Sequence, residues 1–294
     1  MSVQVPARAS DRAGDGYRAR STLTVRVELA RQIRRKRTLV AFLLVIALPL
    51  IVVAAVKFGP SSGGGGGFGD GDLDLIGLAT AGAWNFTLTM LFFGSGFLLT
   101  VLAAHVLGDT VASEANWSSL RYLLAAPVPR RRLLRTKVIV GLLFTVAVLL
   151  TLVVSSFLIG LVAFGSETLT SPLSGTFGTG ESLQRIAVIT AYIGLTMLFP
   201  AGIAFLISVL TDVPLAAVGS AVIITIVFGI LDRIEALGDL RRLLPTDYGA
   251  AWLDALGSQI AWGEMAIGAT YNVVIFALLI AVAFLRFDRK DILS

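Results

Sequence analysis

The sequence predicts an all-α integral membrane protein with six transmembrane helices, and three observations carry that expectation. Of 294 residues, 56% are hydrophobic and only 15% charged, against about half and about a quarter in soluble domains. Six apolar stretches are close to or longer than the roughly 20 helical residues needed to cross a hydrocarbon core. None of the six contains Asp, Glu, Lys or Arg. They run from Leu39 to Val56, Trp84 to Leu107, Val138 to Phe164, Ile186 to Leu210, Val213 to Leu231 and Met265 to Leu285. The first exceeds a typical signal-peptide core and has no convincing cleavage site before Lys57, so it reads as a span.

Nineteen of the 24 Lys and Arg residues fall before the first span, between Gly108 and Lys137, or after the sixth; the other five are Lys57, Arg185, Arg233, Arg241 and Arg242. Under the positive-inside rule both termini of this multi-pass chain are then cytoplasmic, in a cell membrane. The net charge of +5 reads as a topology signal and an attraction to headgroups, so no nucleic-acid partner is expected. With no cysteine, neither a disulfide framework nor a thiolate metal site exists.

Residues 1–20 are rich in Arg, Ala, Gly, Ser and Asp without hydrophobic period, which predicts a disordered cytoplasmic tail. In "STLTVRVELARQIRRKR", Leu23, Val27 and Ala30 recur at helical spacing among basic residues. That pattern fits an amphipathic helix on the cytoplasmic leaflet and equally a charged topology anchor. After the first span, "GPSSGGGGGFGDGDLD" is a Gly-rich external loop. Its Gly67-Phe68-Gly69-Asp70 spells the GxGD of an intramembrane aspartyl protease class, but such an enzyme needs two aspartates within the membrane, and here Asp70 lies in a loop. Asp70, Asp72 and Asp74 have the spacing that starts a calcium loop, yet Leu75 and Ala81 stand where Gly and Glu are required.

In the second span Asn85, Thr89, Gly96 and Thr100 are spaced 4, 7 and 4 apart, with Phe93 and Phe97 bordering them. At about 100° per residue they form one stripe, which fits either a substrate pathway or close packing at a dimer seam. The sole histidine, His105, stands four residues before Asp109 with no fixed partner and makes a poor catalyst. No GxxxxGK[ST] occurs, and none of the four lysines follows a glycine, so the chain itself holds no ATP by a P-loop. A charge at a span centre costs about 3 kcal/mol on insertion scales, and no span keeps the one that an ion relay requires. The residues therefore predict a non-catalytic chain with no metal or cofactor of its own.

Between the second and third spans, Trp117, Leu120 and Leu124 share one helical face before Pro127 and Pro129 end the helix. Arg130, Arg131, Arg132, Arg135 and Lys137 follow and hold the start of the third span at the surface. The segment 232–264 before the last span mixes Leu, Trp and charge and predicts two short amphipathic helices. Trp252, Trp262 and Tyr248 are expected there at headgroup level.

The run "SEANWSSLRYLLAAPVPRRRLLRTK" resembles the cytoplasmic signature of ABC transporter permeases of the type-2 exporter (ABC-2) family. The matching positions are Glu114, the Leu120 to Leu124 segment, Pro127, Val128, Arg130 and Lys137, with Ser118 and Ser119 standing where many relatives have Gly and Thr. The basic helix before the first span, the six-span layout, the external segment and the ending "FLRFDRKDIL" extend the resemblance over about 21–294. It implies that residues of about 111–126 are a coupling helix docking in a separate cytoplasmic ATPase, with Glu114, Trp117, Leu120, Leu124, Pro127 and Arg130 as the transmission patch. It also implies two ATPase copies that bind the ATP and Mg, a second permease as homodimer or heterodimer, and rocking of spans one, two and five. The implied activity is ATP-driven efflux of a lipophilic drug, lipid or peptide. The alternative is a scaffold or sensor that recruits a cytoplasmic partner without moving a substrate.

Overall fold

A computed structural model describes residues 24–58, 75–116, 130–171 and 174–289. The expected tail, the Gly67 to Asp74 motifs, and Trp117, Leu120, Leu124 and Pro127 lie outside them. Helix α1 (Val25–Ile33) precedes the first of six helices long and apolar enough to cross a membrane, α2 (Lys36–Phe58). A short α3 (Leu75–Thr80) leads to the second, which comprises α4 (Ala83–Phe93), a π-helical turn (Gly94–Leu98) and α5 (Leu99–Asn116). The third is α6 (Arg130–Phe164). An antiparallel pair of two-residue strands, β1 (Thr170–Ser171) and β2 (Gly175–Thr176), precedes the fourth, made of α7 (Thr179–Thr196) and α8 (Leu198–Leu210). The fifth is α9 (Pro214–Asp232) and the sixth α10 (Trp262–Arg289), with 3-10 stretches Glu235–Leu243 and Asp247–Leu256 between them. This is the architecture of an all-α, multi-pass membrane protein.

The helices overrun the apolar stretches because the polar residues beyond them, free of proline, continue a helix at modest cost even where a glycine such as Gly108 is included. The effect is largest in α5, where Val111 to Asn116, expected to open a separate coupling helix, instead prolong the second span. Ser208 of α8 accepts from the backbone N–H groups of Val111 and Ala112 at 3.2 and 2.9 Å and fastens that extension to the bundle. The fourth span breaks at Met197 for a proline reason: Pro200 has no N–H to donate back to Thr196.

About half of the second, third and fourth spans is buried, against less than a fifth of the first, fifth and sixth. The inner three form the core, with α2 against α6, α9 against α5 and α8, and α10 against α8. At the end opposite the basic clusters, the segment after α9 folds back onto the bundle. Arg185 of α7, 2% exposed, donates to the carbonyls of Ala255, Gly257 (2.7 Å) and Ser258 (3.2 Å). Its guanidinium also pairs with Glu181 at 2.6 Å and lies 3.7 Å from the Phe177 ring centroid. Ser171 and Ser174 both donate to the Leu256 carbonyl at 2.8 Å. These carbonyls close a 3-10 helix that has no partners of its own for them.

This latch corrects the headgroup expectation for Trp252, which is buried with its ring 6.1 Å from Phe92. Trp262 is exposed and Tyr248 half-buried. The expected amphipathic helices occur as the two 3-10 stretches, with Leu240 and Leu243 exposed and Leu256 buried.

Close approach of α10 to this cap requires Gly268, where an added Cβ would lie 2.6 Å from the Tyr248 Cβ and against the Tyr192 hydroxyl. That hydroxyl donates to the Tyr248 carbonyl at 2.6 Å. Gly268→Ala is expected to lower stability by about 1–3 kcal/mol through overpacking, read as a lower unfolding temperature in detergent; an unchanged temperature refutes the close approach.

Candidate functional site

Three helices, α1, α5 and α6, meet where α5 ends at Asn116 and α6 begins at Arg130. Helix α1 carries a single acid, Glu28, among its basic residues, and the expectation of an apolar face on the leaflet gave that acid no role. Val27 is 60% exposed and Ala30 exposed, whereas Glu28 is 1% exposed. The helix thus turns its acid toward the bundle and its small apolar residues away from it.

Glu28 meets a buried set of charges. Lys137, near the start of α6, is 1% exposed, and Glu114, near the end of α5, is 3% exposed. The Lys137 ammonium lies 2.7 Å from Glu114 and 3.6 Å from Glu28, and donates to the Thr110 carbonyl at 2.9 Å. Arg31, one turn after Glu28, pairs with it at 3.0 Å and also with Glu114. Two carboxylates thus alternate with two cations, and the set is electrically neutral. Burial works against the charge of Arg31, and Glu114 and Glu28 more than offset it, holding its pKa above the ordinary arginine value.

Beside this set Asp109 pairs with Arg35 at 3.3 Å and with Arg37. Arg35 and Arg37 flank the elbow between α1 and α2, so Asp109 fixes the direction in which the first span enters. At the other side of α6, Arg131 pairs with Asp288 at 3.0 Å and Arg130 donates to the Asp288 carbonyl at 3.3 Å, tying the third span to the sixth. The run 117–129 is therefore bracketed by structure held together through charge.

Of the expected transmission patch, Glu114 and Arg130 are described. Arg130 is half-buried, while Glu114 faces inward and belongs to the ion set. A site residue read as a surface contact is thus an internal one. Sequence reasoning missed Glu28, Arg31 and Lys137 as a unit. A lone acid three residues before an arginine in a basic helix was the available signal, but which distant charges it meets is a tertiary fact.

The expected stripe on the second span does not hold as one face. Asn85 and Thr89 are buried, with Asn85 donating to the Thr170 carbonyl at 2.7 Å and accepting from the Thr170 N–H at 2.9 Å. Thr89 donates to the Asn85 carbonyl at 2.9 Å. Phe93, Gly96 and Phe97 are exposed and Thr100 half-buried. The π-helical turn at Gly94–Leu98 is the reason, because its wider winding shifts the phase that a uniform 100° per residue assumes. Asn85 and Thr89 position the β1 segment, and Phe93, Gly96 and Phe97 form a separate outward patch. His105 is half-buried beside Arg37, Asp109 and Phe144, in a narrow cleft. Among the described residues no three His, Cys, Asp or Glu side chains gather as metal ligands.

A family profile described as "Protein of unknown function (DUF2705)" matches residues 51–293, more than four-fifths of the chain. The chain belongs to the DUF2705 family. The match takes in Asp109, Glu114 and Lys137 and begins within α2, after Glu28 and Arg31. A stretch of 82 residues is 35% identical to the "Uncharacterized protein YhcI" of Bacillus subtilis (strain 168), covering 28% of this DUF2705 chain and 23% of that protein. The chain thus matches less than a quarter of that relative's length.

Lys137→Met leaves two buried carboxylates facing one arginine and is expected to destabilise by about 3–5 kcal/mol. Adding Glu114→Gln restores one acid to one base and should recover much of the loss in a double-mutant cycle. Strictly additive effects on the unfolding temperature count against the coupling.

Proposed function

We propose that this chain is the transmembrane permease subunit of an ATP-driven exporter of the ABC-2 type, working with a separate cytoplasmic ATPase on a lipophilic cargo. One observation carries the reading: α5 and α6, the helices on either side of residues 117–129 in the chain, are bound to each other and to α1 by a neutral ion-pair set whose Lys137, Glu114 and Glu28 are buried. A force applied to that run by a partner reaches the second and third spans directly. It reaches the first span through Glu28, Arg31 and the Asp109 pairs at the elbow. Long apolar side chains alone slide past one another under load; short, buried, mutually oriented charges resist separation because parting them strands a charge away from water.

On this reading the basic end faces the cytoplasm and two such subunits assemble with two ATPases. Closure of the ATPases moves the α1, α5 and α6 unit as one body, and α9, packed on α5 and α8, follows it. The outward patch at Phe93, Gly96 and Phe97 is then the surface for the second permease or the cargo. The chain supplies motion and a path, and the nucleotide and its Mg stay with the partner.

The full chain should co-purify with a P-loop ATPase, and Trp117→Ala with Leu120→Ala is expected to lower its turnover at least tenfold while both proteins remain folded. A scaffold that only recruits a partner predicts no nucleotide-linked change, and that result overturns the proposal. The orientation is tested apart from transport. Single cysteines at Ser62→Cys and Ala125→Cys should react with an impermeant maleimide from opposite sides of the membrane, and labelling from one side refutes the topology.

A further inference from the structure

At the basic end a groove of about 730 Å³ opens between α1, α6 and α10. One wall carries Arg131 and Arg132, adjacent in the first turn of α6, and Arg135 one turn further on. Arg131 and Arg135 are exposed, and the Arg131 pair with Asp288 joins two side chains that are 76% and 32% exposed, so a competing anion exchanges with it readily. Thr24 and Val25 form the adjoining wall, where α1 begins without a side-chain cap and presents the positive end of its dipole. The floor is different: Ile139 and Phe284, half-buried, come from the spanning parts of α6 and α10.

Those walls select the ligand. Guanidinium groups and a helix N-terminus call for a phosphate, and an apolar floor continuous with the outside of the bundle calls for hydrocarbon attached to it. A free phosphate would leave the floor unused. The chain's own first 23 residues are a poor match, since they contain Asp11 and Asp15 against Arg8, Arg12, Arg18 and Arg20. We propose that this groove is a specific site for an anionic phospholipid, with its phosphate among Arg131, Arg132 and Arg135 and an acyl chain along Ile139 and Phe284. The site stands whether or not the chain is a permease. It would hold α1 against α6 and α10 from the lipid side, as the buried ion set holds it from within.

The test is native mass spectrometry of the full chain in detergent, titrated with phosphatidylglycerol or phosphatidylcholine of equal chain length. Phosphatidylglycerol should bind at least tenfold more tightly. Arg135→Gln should lower its affinity about fivefold, and Arg132→Gln with Arg135→Gln by about that factor for each arginine, with phosphatidylcholine unaffected. Arg135→Lys should retain most of the affinity, and Arg241→Gln with Arg242→Gln, at the opposite end, should change nothing. Equal binding of the two lipids overturns the site, as does an equal loss from the variant at the far end. Displacement of phosphatidylglycerol by inorganic phosphate at a few millimolar reassigns the groove to a free anion and also overturns it.

Discussion

Lys137 holds its ammonium between two carboxylates in a place water does not reach, 2.7 Å from Glu114 and 3.6 Å from Glu28. An isolated charge there would cost several kcal/mol, so each partner is constrained by the others. That requirement sets the geometry of the basic end. It draws α1 against the bundle by its only acid, keeps α5 helical well past the apolar core, and aligns the start of α6 with the end of α5. A neutral set of this kind contributes little net stability compared with apolar packing, but it makes the relative placement of three helices specific.

The opposite end is organised by a single buried cation of another kind. Arg185 spends its donors on backbone carbonyls that end a 3-10 helix, with Glu181 as counter-charge and the Phe177 ring against the guanidinium face. Between these two ends the bundle is apolar, and its inner spans are interrupted at two points: the π-helical turn at Gly94–Leu98 and the proline break before α8. Both are places where backbone groups are imperfectly paired and a helix changes direction at modest cost. Rigid, charge-organised ends joined by a bundle with two weak points suit a molecule that transmits movement across its length. The proposed permease role rests on the resemblance of the run 113–137 and on this arrangement, apart from membership of the DUF2705 family.

Two readings of the site changed for physical reasons. A stripe at spacings of 4, 7 and 4 is one face only if every turn has the same pitch, and glycines at 94 and 96 sit in the turn that departs from it. Trp252 was placed at headgroup level because tryptophan favours interfaces, yet a tryptophan near an interface can also serve as a lid on the core when a loop is latched over it. Glu114 entered the expected transmission patch through the resemblance, and the structure turns it inward to Lys137 and Arg31. Its direction was hidden, because an acid at a helix end looks the same in sequence whether it faces a partner protein or an internal lysine.

Composition and spacing alone determined the class, the number of spans and their limits to within a turn or so at most ends. Burial of some 20 apolar residues in hydrocarbon is a local, additive requirement that any window of sequence reports. The asymmetry of Lys and Arg predicted an orientation by equally additive means. Only the tertiary structure decided which of the polar residues meet. Arg31 and Glu114 lie far apart in the chain, as do Arg185 and Gly257, and their pairing depends on how helices pack, a property of the whole bundle that no single segment encodes.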